Sequence, residues 1–260
     1  MAHFLAKKNY HSRDSKIKFK DKGHEYTVFC DNNLEGDKSF TSTTTLIHQY
    51  VTPFNADLII KNMMLSKNWN EHHKYWGMTP KQIKDLWKTN NLGVADAGTK
   101  LHFDIECTYN EIEIVNNSKE FQMFLQFKND HYYLEPYRTE WLIFDEENKI
   151  TGSIDMVFKD GDVLDIYDWK RSKSIDKVKN NNFLQSYSLN HLPDSNYWHY
   201  SLQLNIYKNI LERKYGMKVR DLYLVQLHPD FNNYIKIKCP NLQKEVQDLL
   251  FARKLKNNQL

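Results

Sequence analysis

Three cysteines in 260 residues (Cys30, Cys107 and Cys239) are too few and too far apart for a disulfide framework. They form no CxxC pair, which excludes a four-cysteine zinc or iron–sulfur site and favours an intracellular, reducing compartment. Glycine (8) and proline (6) are scarce, so the chain is neither fibrous nor low in complexity. No apolar run reaches the length of a membrane span, and the opening MAHFLAKKNYHSRDSK lacks the apolar centre of a secretory signal. There is no internal repeat and no GxxxxGK[ST] loop, so any nucleotide-driven unwinding must come from another protein. The net charge of +3 is not that of a strongly basic chain, yet it is compatible with a basic groove around an acidic centre, whose signs cancel in the total.

What is present is a large aromatic core, with 40% hydrophobic and 14% aromatic residues, mostly tyrosine and phenylalanine. Residues 24–29 and 39–47 read as strands around a polar loop, DNNLEGDK. Asn55–Ser66 reads as a helix, and Thr79-Pro80 opens another. These make an N-terminal hairpin and helical lobe, 1–94, packed on a core of 95–260. In the core, helices are expected over 96–109, 119–132, 197–215 and 241–254. Strands are expected over 137–144, 149–158, 162–169, 221–227 and 234–237. The short polar turns DEEN and KDGD make the first three strands an antiparallel meander. Two strands and a helix after the next helix give an α/β sandwich with a central mixed sheet flanked by helices, not alternating βαβ units.

The chemistry gathers in TGSIDMVFKDGDVLDIYDWKR, residues 151–171. Asp155 sits among apolar residues of a central strand, where burial is costly unless a cation or donor meets it. Asp168 and Lys170 are two apart at the end of the next strand, so they share a face that continues the apolar row Leu164, Ile166. The Trp169 carbonyl between them is a candidate further oxygen ligand. Two carboxylates and an amine at one sheet end can hold a hard divalent cation beside an ionisable water. Short D-x-K triplets are common on solvated turns, so the neighbours decide. His102 shares a helix face with Glu106 at i, i+4, and its imidazole suits Mn²⁺ or Mg²⁺ beside carboxylates, although a lone helical histidine more often packs. Gly98 is expected to permit close packing there. Glu140 either joins the acids or pairs with Arg138 or Lys149. Gln203 and Tyr207 share one face of the following helix.

Taken together, Gly98-Thr99-x-x-His102-x-x-x-Glu106, Gly152-Ser153-Ile154-Asp155, Asp168-Trp169-Lys170 and Gln203-x-x-x-Tyr207 resemble the PD-(D/E)XK nucleases. Within them, the RecB-like exonuclease branch is most similar, as in the CRISPR-associated adaptation nucleases and the mitochondrial genome maintenance exonuclease. The resemblance covers roughly 95–210. It departs from the family name in reading Ser-Ile-Asp155 where Pro-Asp is named, and it lacks the iron–sulfur cysteines of some relatives. It implies a restriction-endonuclease-like core and a metal-dependent deoxyribonuclease. The expected action is exonucleolytic, on single-stranded DNA or DNA ends in replication, repair or recombination, alongside a helicase or another such protein. It implies Mg²⁺ or Mn²⁺ on His102, Asp155, Asp168 and the Trp169 carbonyl. Lys170 would act on the attacking water, and Gln203 and Tyr207 would position the scissile strand or the catalytic residues; Glu140, read from its strand and not from the resemblance, is a further candidate catalytic acid. Nucleic-acid contacts are expected from Arg171, Lys173, Tyr197 and Trp198, among the basic and aromatic residues of 171–199 that include Lys177, Lys179, Phe183 and Tyr187. The alternatives are a structure-specific endonuclease on the same fold, an inactive nucleic-acid-binding module, and a non-enzymatic interaction protein.

Overall fold

The computed structural model describes residues 4–30, 33–178, 182–186 and 188–257. In chain order, helix α1 (Phe4–Lys8) leads to three strands, β1 (Ile17–Lys20), β2 (Glu25–Cys30) and β3 (Asn33–Asp37). They form a small antiparallel sheet that buries Ile17, Tyr26 and Val28 against Phe144. The sequence places a loop where β3 runs and misses β1. Strand β4 is only Thr41–Ser42, and Thr43–His48 is helix α2 rather than strand. The reason is local: Ser42 caps the helix by accepting the Thr45 N–H, which outweighs the β-propensity of three threonines.

Helix α3 (Ala56–Met64) precedes α4 (Pro80–Tyr109), a single 30-residue helix where two were expected. It opens on a capping box between Thr79 and Gln82. Gly93 and Gly98 do not interrupt it. Both face open space, so Gly98 has no packing role, contrary to expectation. The 94/95 boundary expected between lobe and core falls inside this helix.

Helix α5 (Lys119–Asp130) and strands β5 (Glu135–Asp145), β6 (Ile150–Asp160) and β7 (Val163–Lys170) follow. Helix α6 (Asn196–Lys214), strands β8 (Lys218–Gln226) and β9 (Ile235–Lys238), and helix α7 (Gln243–Asn257) complete the chain. The main sheet is mixed. Strands β5, β6 and β7 form the expected meander, β7 and β8 are parallel, and β9 returns antiparallel. One side packs on α6 and α7 through Ile154, Ile166, Leu202, Ile206 and Val246. The other packs on α4 and α5 through Leu101, Phe124, Phe127, Tyr167 and Trp169. No helix among the described residues is long and apolar enough to cross a membrane.

One edge of β6 is shared. Its start, Ile150 and Thr151, pairs with β4, and its end, from Met156 on, pairs with β7. Among the described residues, 152–155 have no partner on that edge. The two strands fork just before Asp168.

Candidate metal-dependent catalytic site

The charged residues meet in this fork. Beyond the Met156↔Tyr167 pair the ladder stops, and the Trp169 N–H donates instead to Asp155 Oδ2 at 2.9 Å. Side-chain alternation in β6 also breaks at Asp155. Ile154 and Val157 face the α6 side, whereas Met156 and Phe158 face the α4 and α5 side. Across the β5–β6 ladder, Thr139↔Met156 and Trp141↔Ile154 set Glu140 opposite Asp155. Glu140 has a φ of 42°, left-handed for a residue with a side chain. Such a conformation costs on the order of 1–3 kcal/mol, and the surrounding ladder sustains it. Ser153 Oγ donates to Glu140 Oε2 at 3.0 Å.

Helix α4 brings His102 over the fork. Its Nε2 lies 2.8 Å from the Trp169 carbonyl, and since that oxygen can only accept, Nε2 carries the proton. Its Nδ1 lies 3.4 Å from Asp155 Oδ2 and 3.8 Å from Glu140 Oε1. His102, Glu140 and Asp155 each offer a ligand atom within 4.8 Å of the others, and all three are half-buried. Glu140 therefore lies with the acids; of the alternative partners, Arg138 binds Asp14 at 2.7 Å and Lys149 binds Asp37 at 2.8 Å.

Asp168 and Lys170 end β7 on one face, as the alternation requires. Lys170 Nζ lies 2.6 Å from Asp168 Oδ2 and 4.4 Å from the centre of the Tyr200 ring. That same carboxylate oxygen is buried, and the Lys170 ammonium is its charge-assisted partner. On α6, Gln203 Nε2 donates to Tyr207 Oη at 2.8 Å. The Tyr207 ring lies against Gly152, where any Cβ would collide with it. A side-chain-free position at 152 is therefore what lets α6 approach the fork.

Burial in this cluster works against every charge. It pushes the Asp168 carboxyl up to about 6, aided by Asp155 and opposed by Lys170 and His102. Asp155 is raised in the same way, by burial and then Glu140, against His102, Lys170 and the Trp169 N–H. For His102, burial lowers the pKa, but Asp155 and Glu140 outweigh it and bring the imidazole to about 9. Burial likewise opposes the Lys170 charge, and Asp168 and Asp155 overcome it, lifting the amine above its ordinary range.

This donor set fits a hard or borderline divalent cation. It offers carboxylate oxygens, a carbonyl and one imidazole. The Asp168 carboxylate, held by Lys170 through Oδ2, keeps lone pairs that a cation could share.

The residues expected to contact nucleic acid divide. Tyr197 is a core residue, 4% exposed, because its ring packs into the cluster between α6 and the sheet. Arg171 is held by Glu120 at 2.6 Å with both side chains largely buried, so it braces α5 against the end of β7. Lys173 is exposed and pairs with Asp230, and Trp198 donates to the Lys177 carbonyl at its half-exposed edge. Phe183 is exposed, while Lys179 and Tyr187 lie outside the described residues. Tyr200 was not anticipated, since no pairing rule links it to Lys170 in the sequence.

No protein-family model matches this chain, and no curated protein does. Among solved structures, a Eubacterium rectale protein provisionally named an exonuclease is similar at 17% identity and a TM-score of 0.36. The match covers 57% of this chain and 54% of that one, so the chain spans about half the length of that relative. The protein SSO0001 is similar at 14% identity and a TM-score of 0.32, over 83% of this chain and 77% of its own. Likeness at this level says nothing about chemistry, which rests on the fork and its residues.

Proposed function

We propose that the protein is a metal-dependent nuclease that hydrolyses DNA phosphodiesters. The observation that carries this reading is the fork itself, where the half-buried carboxylate of Asp155 and the buried one of Asp168 sit beside His102, Glu140 and Lys170. Holding so many charges in one half-buried place is costly unless they serve a cation and an anionic substrate. His102, Asp155, Asp168 and the Trp169 carbonyl would hold Mg²⁺ or Mn²⁺, with Glu140 within reach. Such an ion supplies charge neutralisation at the phosphate and a water of lowered pKa. Lys170 keeps its proton and meets the negative charge that grows on the phosphate. Gln203, fixed by Tyr207, orients groups at the α6 wall.

Action from a free end, on single-stranded DNA or DNA ends in replication, repair or recombination, follows from the sequence resemblance, as does cooperation with a helicase. The test uses DNA labelled at either end, single- and double-stranded, with Mg²⁺, Mn²⁺ or EDTA, and with wild type or Asp168→Ala. The reading expects degradation only by metal-loaded wild type, with a ladder whose label gives the polarity. Efficient cutting of closed circular single strands would turn the assignment to an endonuclease. Equal inertness of both proteins on DNA and RNA, with binding retained, would reduce the site to a binding module.

A further inference from the structure

Lys170 has two neighbours of different kinds, Asp168 Oδ2 at 2.6 Å and the Tyr200 ring face at 4.4 Å. A carboxylate attracts the ammonium but cancels its charge. A ring attracts it through the quadrupole and leaves the full charge available. The Lys170 side chain is only 17% exposed, so its contact with the ring is largely desolvated, where such an attraction is strongest.

Tyr200 is held where this matters. It precedes Gln203 by three residues and Tyr207 by seven, so α6 presents all three on one face. Leu202, Leu204, Ile206 and Ile210 bury the rest of the helix, and Tyr200 itself packs at the margin of that core. Its backbone therefore moves little whatever Lys170 does. If Asp168 turns to a cation, Lys170 loses its anionic partner, and the ring remains.

Resting on the hydrolytic reading above, we propose that Tyr200 is a positioning residue, whose ring holds the Lys170 ammonium in the fork, still fully charged, while Asp168 serves the metal. The ring face is what acts; the hydroxyl is dispensable.

The test compares Tyr200→Leu and Tyr200→Phe with wild type by two independent readouts. The first is the NMR shift of the Lys170 ε-methylene protons, without and with Mg²⁺. Wild type and Tyr200→Phe should show the upfield displacement that a ring face causes, and Tyr200→Leu should not. The second is turnover on end-labelled single-stranded DNA. Tyr200→Leu should lower kcat by about 5- to 30-fold, the worth of a desolvated cation–π contact, with KM within about twofold. Tyr200→Phe should recover most of the rate. In a Lys170→Met background, Tyr200→Leu should add less than about twofold. A retained Mg²⁺-induced rise in Tm in Tyr200→Leu shows that the fold and metal site survive. The proposal falls if wild type lacks the upfield shift, if Tyr200→Phe loses as much as Tyr200→Leu, or if Tyr200→Leu turns over like wild type. Should wild type cut neither DNA nor RNA, the hydrolytic reading fails, and the Lys170 proton shifts still decide whether the ring holds the ammonium.

Discussion

Strand β7 carries two buried aspartates three residues apart, and they live in opposite circumstances. Asp165, 5% exposed, takes both oxygens to Arg220 at 3.1 and 2.6 Å and accepts the Asp221 N–H at 3.1 Å. Every demand it makes is met by the protein. Asp168, 2% exposed, has Oδ2 held by a lysine at 2.6 Å and a second carboxylate near enough to raise its pKa. The first arrangement joins β7 to β8. The second crowds a buried carboxylate against another acid with a lysine beside them, and such clusters of perturbed charges gather where something else binds. Burial of an acid alone therefore does not mark a site; crowding with like charge does.

Exchanging the acids one at a time should separate the two roles. The largest effect is expected from Asp168→Asn, which should reduce Mn²⁺-dependent DNA hydrolysis by about 10³-fold or more, since metal and phosphate charge both lose a partner. Asp165→Asn should stay within a few-fold of wild type in the same assay.

Next in size is metal linkage. Mg²⁺ at a hundred times its Kd should stabilise wild type by about 2.7 kcal/mol in thermal unfolding. This gain should depend on pH. The raised pKa of His102 means that its charge stabilises the metal-free fold fully below 6.5 and ceases to do so as pH rises through about 9. The raised pKa of Asp168 acts in the same direction, its contribution being lost from 3.8 through about 6. Metal-free protein should therefore melt lower at pH 8.5 than at pH 6, while the Mg²⁺-induced rise in Tm should be larger at pH 8.5, where protons no longer compete. A His102→Asn protein should lose most of that pH trend.

A smaller effect belongs to the satisfied acid. Asp165→Asn should cost about 1–3 kcal/mol in urea unfolding, reduced from the fully buried case because Arg220 is 45% exposed. Smallest is Glu140→Gly, which should recover about 1 kcal/mol of backbone strain while weakening Mg²⁺ binding, as calorimetric titration would report.

Much of this was readable from the residues. Alternation placed β5, β6 and β7 within two residues, and the D-x-K spacing put Asp168 and Lys170 on one face because β7 is regular up to its end. What failed to show was non-local or conformational. Glu140 looked undecided because neither its left-handed backbone nor its position opposite Asp155 is written in a local pattern. Arg171 looked like a phosphate contact because its partner, Glu120, is 51 residues away. Tyr197 looked like a stacking ring, but it packs into the core beneath α6. Two helices were expected where α4 is one, since Gly93 and Gly98 cost only about 1 kcal/mol each in a helix already fixed at its C-terminal half by Leu101, Ile105 and Tyr109.

The most direct test of the central claim is calorimetric titration of Mn²⁺ into metal-free wild type, Asp168→Asn and Asp165→Asn. Saturable binding by wild type and Asp165→Asn, with Kd weakened at least tenfold in Asp168→Asn, is the result expected of a cation site built in the fork. Binding that is equal in all three proteins, or absent from wild type, would contradict it.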